Sequence, residues 1–290
     1  MKNFLKGLYT KLNMKTGKKY KLTDECITID DKKLYRIKAL KDFSCVKKGD
    51  KGGFVECEDS LSQEGNCWIF DNAKVFGNAV VRDNAMIYGN VMIYNGAVIS
   101  NNARVFGDAK VYNYANVQGN ASISGSAQIY DNVQVYGNAA IYDNAIVYND
   151  VIINNNATVF GNAKVWNNVR IYNNVRVYGD AKVYGNAEVC DNAKVYGNAE
   201  VSGNAWVYGK AEVYGNAKIT SNSDYIVFKN WWSSGRYFTW TRSNNMWKVG
   251  CFYGTGEELI AKAYKDSELS GREYERVVKY VESILKDSKK

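Results

Sequence analysis

A six-residue alternation of apolar and polar positions runs without interruption through 26 hexads, from Ile69 to Asp224. The first position of every hexad is Val or Ile, β-branched residues that favour a buried strand. The third is Gly, Asn or Asp in 25 of the 26 hexads, residue types that tolerate positive φ, and the fifth is Ala in 20 of them. The pattern predicts one short strand and one corner per hexad, repeated as a single stacked unit.

An aliphatic residue followed four positions later by a small one resembles the pattern of hexapeptide-repeat proteins, which fold as a left-handed parallel β-helix. The resemblance implies three hexads per triangular coil, so that the 26 hexads would form between eight and nine coils. The fourth position is mostly Asn, which we expect to bond neighbouring backbone at the corner. We therefore predict a mainly β protein in which residues 66–224 form the β-helix.

Aromatic side chains occupy the second position in 18 of the 26 hexads, where strand alternation turns them outward. With three hexads per coil, these side chains fall mainly on two faces. One face carries a candidate partner-binding ladder of Tyr94, Tyr112, Tyr130, Tyr148, Trp166 and Tyr184. Stacked aromatics can stabilise adjacent strands, and exposed apolar patches can mark contacts with a partner or a second copy of the chain. Both interpretations stay open at this point.

Non-repetitive sequence precedes the hexads. We predict a basic amphipathic segment over residues 1–19 and a β cap over residues 20–65. The cap contains two strand-like runs, Lys21–Ile29 and Lys33–Leu40, separated by a turn at Asp30 and Asp31.

The stretch from Tyr20 to Ala73, including Leu22–Glu25 and Gly52–Glu56, resembles the entry segment of hexapeptide-repeat proteins common in bacteriophages and prophages. Many proteins of that type are named putative transferases or polymer-forming proteins on their fold alone. The resemblance implies a phage or mobile-element origin and assigns no chemistry.

Residues 225–290 break the repeat and are predicted to form a small α+β domain. Its strand-like runs are Tyr225–Lys229, Tyr237–Arg242 and Met246–Phe252. Two helices follow, with capping boxes expected at Thr255 with Glu258 and at Ser270 with Glu273.

Four tryptophans lie close together in the sequence of this domain, at positions 231, 232, 240 and 247. A small sheet with little Leu or Ile needs aromatic residues for its core, which is one interpretation of all four. Trp231, Trp232 and Arg236 nevertheless fall in a predicted loop, and Trp with Arg is the composition of an interface hot spot. These three residues are therefore candidate partner-binding residues.

Net charge is +8, and it is concentrated at the ends of the chain. Residues 66–224 carry 11 basic and 12 acidic side chains, whereas residues 1–65 carry 15 and 10 and residues 225–290 carry 12 and 8. A β-helix that bound nucleic acid along its length should carry a basic stripe, so nucleic-acid binding by this region is disfavoured. No apolar run is long enough to span a membrane, and no secretory signal is evident, so we expect a cytoplasmic protein, in the host cell if phage-encoded.

The chain contains no His, and its six cysteines form no metal-ligand spacing. Hexapeptide-repeat acyltransferases generally use a His as general base, and no other side chain has an ordinary pKa suited to that role at neutral pH. We therefore predict that the chain is not an enzyme and assign no catalytic, cofactor-binding or metal-binding residues.

The resulting hypothesis is a non-catalytic protein-binding or scaffold protein that acts through its aromatic β-helix faces and C-terminal domain. The phage-type resemblance makes a host factor or immune effector the expected partner, so a host-defence antagonist such as an anti-CRISPR is the narrower form. One alternative is an acyltransferase-like enzyme working at a subunit cleft. Another is a structural or adhesive protein of a virion. A homodimer or homotrimer would be compatible with any of the three.

Overall fold

The computed structural model describes residues 17–287, which divide into two compact units between Gly125 and Ser126. The protein is mainly β: its hexads form a parallel β-solenoid of about nine turns at three hexads per turn, and a small antiparallel sheet with two helices follows them. The predicted amphipathic segment lies outside the described residues except for residues 17–19. The predicted boundaries at 65/66 and 224/225 stay predictions.

The first unit opens with three longer strands: β1 (Tyr20–Ile29), β2 (Lys32–Ala39) and β3 (Lys51–Val55). Strands β1 and β2 pair antiparallel across a turn in which Asp30 and Asp31 have φ of 45° and 62°, as the sequence predicts. Ten strands, one per hexad, follow β3 after a short 3₁₀ turn (Glu58–Ser60). They are β4 (Trp68–Ile69), β5 (Lys74–Val75), β6 (Val80–Val81), β7 (Met86–Ile87), β8 (Met92–Tyr94), β9 (Val98–Ile99), β10 (Arg104–Val105), β11 (Lys110–Tyr112), β12 (Asn116–Val117) and β13 (Ser122–Ile123).

Within this unit, strands three hexads apart pair in parallel, and three hexads make one turn of the solenoid. The first-position Val and Ile and the fifth-position Ala side chains are buried in the interior. Strand β3 pairs in parallel with β5 and so joins the β cap to one of the three parallel sheets. A Cβ atom added to Gly53 would lie 2.4 Å from the Ala73 carbonyl oxygen, so this close approach requires glycine.

A buried lysine anchors the start of the described chain. Lys19 is 1% exposed, and its Nζ donates to the carbonyl oxygens of Glu64 at 3.2 Å, Gly65 at 3.4 Å and Cys67 at 3.1 Å. The same Nζ lies 3.2 Å from the Cys67 Sγ. Burial lowers the pKa of Lys19 and raises the pKa of the Cys67 thiol. The three carbonyl contacts compensate the ammonium group for the water that it loses.

The second unit continues the same repeat and ends in a separate sheet. Its repeat strands are β14 (Gln128–Ile129), β15 (Gln134–Val135), β16 (Ala140–Ile141), β17 (Ile146–Tyr148), β18 (Ile152–Ile153), β19 (Thr158–Val159), β20 (Lys164–Trp166), β21 (Arg170–Ile171), β22 (Arg176–Val177), β23 (Lys182–Val183), β24 (Glu188–Val189), β25 (Lys194–Val195), β26 (Glu200–Val201), β27 (Trp206–Val207), β28 (Glu212–Val213) and β29 (Lys218–Ile219). Within this unit too, strands three hexads apart pair in parallel.

After a 3₁₀ turn (Asn222–Asp224), four antiparallel strands form a sheet in chain order: β30 (Tyr225–Lys229), β31 (Tyr237–Thr241), β32 (Met246–Val249) and β33 (Phe252–Gly254). Helices α1 (Gly256–Asp266) and α2 (Glu268–Asp287) follow. The core between sheet and helices is formed by Phe238, Trp240, Trp247, Val249, Leu259, Val278 and Val281. Trp240 and Trp247 are therefore core residues, in agreement with the interpretation that the tryptophans supply the core of this small sheet.

Two local predictions for this region are wrong. The predicted strand Met246–Phe252 is two strands, because Gly250 has a φ of 54° and turns the chain between β32 and β33. The capping box expected at Ser270 does not start α2, which begins earlier, at Glu268. Here the Ser267 Oγ accepts a hydrogen bond from the Ser270 backbone N at 3.1 Å. The capping box of Thr255 with Glu258 at the start of α1 is confirmed.

Candidate binding surfaces

The predicted aromatic ladders form in the first unit, where the rings of successive turns stack. On one face Phe70 stacks on Tyr88 at 4.5 Å between ring centroids. On the neighbouring face Tyr94 stacks on Phe76 at 5.1 Å and on Tyr112 at 4.8 Å, with interplanar angles of 7° and 3°. Parallel strands one turn apart place identical positions directly above one another, so the stacking follows from the register.

The β cap covers the beginning of this second ladder. Leu34 of β2 packs in one cluster with Phe54 and Phe76, and Ile27 and Tyr94 pack against that cluster. Burial is also the main cause that raises the pKa of Tyr94. Tyr94 is thus partly covered by the chain itself, which makes it a poorer candidate for partner contact than the sequence suggests.

The second unit carries longer ladders on two faces. On one face Tyr148 stacks on Tyr130 at 5.0 Å, and Trp166 stacks on Tyr148 at 6.0 Å and on Tyr184 at 4.5 Å. On the other, a ladder of Tyr142, Phe160, Tyr178 and Tyr196 has centroid spacings of 4.7–4.9 Å. The five candidate residues other than Tyr94, namely Tyr112, Tyr130, Tyr148, Trp166 and Tyr184, are all half-buried and outward-facing.

The stacking limits what the ladders can bind. Each ring inside a ladder has a neighbouring ring on both faces, so only its edge reaches solvent. A sugar or a nucleobase that binds by stacking needs a free ring face, which is available only at the ends of a ladder. Ring edges and flanking side chains form a ridged apolar surface that suits contact with another protein.

On the third face of the second unit, polar contacts hold the aromatic side chains of Tyr172 and Trp206. The Tyr172 hydroxyl donates to the Glu188 carboxylate, which together with burial raises the pKa of Tyr172. The Trp206 Nε1 donates to the Cys190 Sγ at 3.2 Å. Trp206 is 44% exposed and its neighbour Tyr208 is 47% exposed, with their ring centroids 4.6 Å apart. These two residues form an exposed aromatic pair that was not predicted from the sequence. The signal was present, because Trp206 stands at the sixth position, where most hexads carry a polar or charged residue.

The predicted hot-spot loop separates into an exposed and a packed part. Trp231 is 77% exposed, and Arg236 is exposed as well. Trp232 is instead half-buried and contacts Phe238 and Tyr274 edge-on, with ring centroids at 6.2 Å and 5.4 Å. Trp232 therefore belongs with the core of the domain, and partner contact through this loop would rest on Trp231 and Arg236.

Asparagine ladders run along the corners between the faces. At the fourth position of the hexads, the Asn Nδ2 donates to the Oδ1 of the residue one turn on. In the first unit Asn84 donates to Asn102 at 3.2 Å, and in the second Asn138 donates to Asn156 at 3.1 Å. The sequence-based expectation that these side chains bond neighbouring backbone is met at Asn222, whose Oδ1 accepts from the Trp206 backbone N at 2.8 Å. At Asn84 and Asn138 the register instead brings equivalent amides within reach of each other.

Within residues 17–287, no group of three or more Cys, Asp or Glu side chains is placed to bind a metal ion. All six cysteines lie in this range and are free thiols. The shifted pKa values belong mainly to tyrosines, whose hydroxyls are buried or bonded to carboxylates and so lose protons less readily.

Comparison with known proteins relates two short segments of this chain to a named repeat. The model of the YdcK beta solenoid repeat matches residues 85–101 and 193–209, each of which begins at the fifth position of a hexad. A protein of Escherichia coli (strain K12) named "Uncharacterized acetyltransferase YdcK" is 50% identical over 38 residues. That match covers 13% of this chain and 12% of the relative's length. Together with the parallel pairing every three hexads, these matches support a β-helix of the hexapeptide-repeat type.

Neither helix among residues 17–287 combines the length and the apolar composition that crossing a bilayer would require.

Proposed function

We propose that this chain is a non-catalytic protein-binding scaffold, whose aromatic surfaces contact a protein partner. The observation that carries the proposal is the exposed aromatic surface of the second unit. Trp206, Tyr208 and Trp231 are the most exposed of its large apolar side chains outside the helices. Exposed Trp and Tyr are enriched in protein interfaces, and exposed apolar patches often mark contact sites.

The ladders support the same proposal from a different direction. They supply a rigid surface in which Tyr148 or Trp166 cannot change position without disturbing the turns above and below. A rigid aromatic surface loses little conformational entropy on binding. Residues 20–73 resemble the entry segment of phage-type hexapeptide-repeat proteins, so we propose that a phage or mobile element encodes the chain. The narrower role is antagonism of a host defence, such as CRISPR inhibition, with a host or immune effector as the partner.

The proposal is tested by capture of proteins from a bacterial lysate on the immobilised chain. A Trp206→Ala/Trp231→Ala variant removes two exposed rings, and Leu269→Ala, which is 49% exposed on α2, is the control. Circular dichroism checks that both variants keep the fold. We expect a partner that the wild type and the control retain and that the double variant loses. Recovery of nothing beyond further copies of the chain, or equal capture by the double variant, would refute the proposal.

A second candidate, an acyltransferase, is favoured by one observation, the short match to a relative named an acetyltransferase. That name describes the relative, and the matched segment is 12% of its length. The absence of His from this chain counts against transfer of its chemistry. A structural or adhesive role in a virion is a third candidate, and recovery of the chain in purified particles would favour it.

A further inference from the structure

Two adjoining cavities lie in the second unit, beside the last turns of the solenoid and the C-terminal sheet. The first has a volume of about 310 Å³ and is lined by Lys194, Lys210, Glu212, Arg236 and Tyr237 among others. The second has a volume of about 370 Å³ and is lined by Tyr208, Lys210, Tyr225, Ile226 and Tyr237 among others. Lys210 and Tyr237 line both, so the two cavities adjoin each other, and we name the pair the Lys210 cleft.

One part of the Lys210 cleft is positively charged. Three cationic side chains line it, against the single carboxylate of Glu212. Lys194 already pairs with Glu212 at 2.8 Å. Neither Lys210 nor Arg236 forms an ion pair with any residue of the part of the chain that the structure describes. Two positive charges are thus left to attract an anion, and Arg236 offers the planar geometry that binds a carboxylate through two hydrogen bonds.

The other part of the cleft is apolar and borders an open strand edge. Tyr208 and Ile226 line it together with Tyr225, and the exposed Trp206 lies against Tyr208. Strand β30 is the first strand of the C-terminal sheet and, within residues 17–287, has only β31 as a neighbour. An edge strand presents unpaired backbone donors and acceptors, to which an extended peptide can add.

We propose that the Lys210 cleft binds an extended acidic peptide segment of the partner protein. Its carboxylates would be held by Arg236 and Lys210, an apolar side chain would enter the cavity beside Tyr208 and Ile226, and its backbone would run along the edge of β30. This inference rests on the proposed function and specifies the chemistry of the partner.

A nucleic acid fits the cleft less well. The Lys210 ammonium lies 4.8 Å from the centre of the Tyr237 ring and occupies one of its faces. Tyr208 likewise has the Trp206 ring centroid 4.6 Å away. The bases of a single-stranded nucleic acid need free aromatic ring faces to stack on. Two cations beside an apolar cavity and a strand edge instead match an acidic, partly apolar peptide.

The test is selection of short random peptides on the immobilised full-length chain. The Lys210→Glu/Arg236→Glu variant reverses the charges of these two cations. A Lys164→Glu/Arg272→Glu variant, which changes net charge equally at exposed positions away from the cleft, is the control. We expect the wild type and the control to select peptides rich in Asp and Glu with an apolar residue between them. Affinity of a selected peptide should fall by about tenfold or more in the cleft variant, equivalent to about 1.4 kcal/mol.

Each other outcome decides against the inference. Selected peptides without acidic residues, or equal binding by the cleft variant, would overturn it and leave the protein-binding proposal intact. Failure to select any peptide, while lysate capture still depends on Trp206 and Trp231, would do the same. Tight binding of single-stranded oligothymidylate that is lost in the cleft variant would make the cleft a nucleic-acid site. Circular dichroism of both variants checks that the charge reversals leave the fold unchanged.

Discussion

At the third position of nearly every hexad the backbone turns a corner in the left-handed region. All 25 Gly, Asn and Asp residues at this position have φ between 52° and 77°, and Ser221 at the last hexad does not. Asn and Asp tolerate this conformation, and Gly adopts it without strain. Glycine serves a second purpose where the following turn approaches closely, as at Gly185.

Gly185→Ala should therefore be more destabilising than Gly209→Ala. Both residues have left-handed φ, 76° and 68°, so an alanine costs about 1–2 kcal/mol of backbone strain at either position. A Cβ at Gly185 would lie 2.9 Å from the Gly203 backbone N, whereas one at Gly209 meets nothing within 4 Å. We expect a further ~1–3 kcal/mol loss for Gly185→Ala. Urea unfolding of both variants measures the difference, and equal losses would contradict the contact argument.

Stability should also fall at alkaline pH because of buried tyrosines such as Tyr225. Burial raises the pKa of Tyr225 from 10.0 to about 12. The folded state therefore resists losing this proton, and the stability it contributes is present below pH 10 and lost as pH rises from 10 to about 12. Its hydroxyl donates to the Trp206 carbonyl oxygen at 2.9 Å, so Tyr225→Phe should lower stability at neutral pH as well.

The measurement is the free energy of unfolding across this pH range for wild type and Tyr225→Phe. The wild-type curve should fall more steeply, by at most about 1.4 kcal/mol per pH unit for one group. Parallel curves would show that Tyr225 does not contribute to the alkaline loss.

At the scale of elements, the solenoid is built from strands of two or three residues that are too short to be stable singly. An inner strand is held by one neighbour three hexads before it and another three hexads after it, so the turn is the stable element. The helices follow different rules, since their ends are set by local capping. Thr255 gave the start of α1 correctly, whereas α2 begins before the predicted Ser270, and the Ser267 hydroxyl accepts from the Ser270 backbone N.

The position of Ser267 as the helix cap can be tested by a pair of alanine substitutions. Ser267→Ala removes the hydroxyl that accepts from the Ser270 backbone N and should cost about 1 kcal/mol. Ser270→Ala lies inside α2, so its effect should be within about 0.5 kcal/mol of zero. Thermal unfolding followed by circular dichroism compares the two, and the reverse order would restore the cap predicted at Ser270.

At the scale of the whole molecule, the surface is divided between stacked aromatics, asparagine ladders and the Lys210 cleft. Only the last combines charge, an apolar cavity and a strand edge, and it lies entirely within the second unit. The aromatic surfaces and the Lys210 cleft offer side chains for contact, and the chain lacks the His that a hexapeptide acyltransferase would use. We therefore expect binding activity without turnover.

The full-length chain should neither hydrolyse acetyl-CoA nor transfer its acetyl group to amine acceptors above the uncatalysed background. A ligand that binds the folded state raises the melting temperature. Because we expect no CoA binding, the melting temperature should stay the same at millimolar CoA. Thiol release and a thermal-shift assay are the measurements, with heat-denatured chain as the blank. Turnover abolished by substitution of a cleft residue such as Glu212 would support the acyltransferase alternative instead.

Sequence alone determined the repeat, because its requirements are local and recur 26 times: a β-branched residue to bury, a residue that tolerates positive φ, and a small residue inside the corner. It also placed the aromatic side chains outward. The partner of each asparagine, the cover over Tyr94 and the packing of Trp232 were decided by tertiary structure, because they depend on residues distant in sequence. The Lys210 cleft was decided in the same way, since Tyr208, Ile226 and Arg236 come together only when the C-terminal sheet folds beside the last turns.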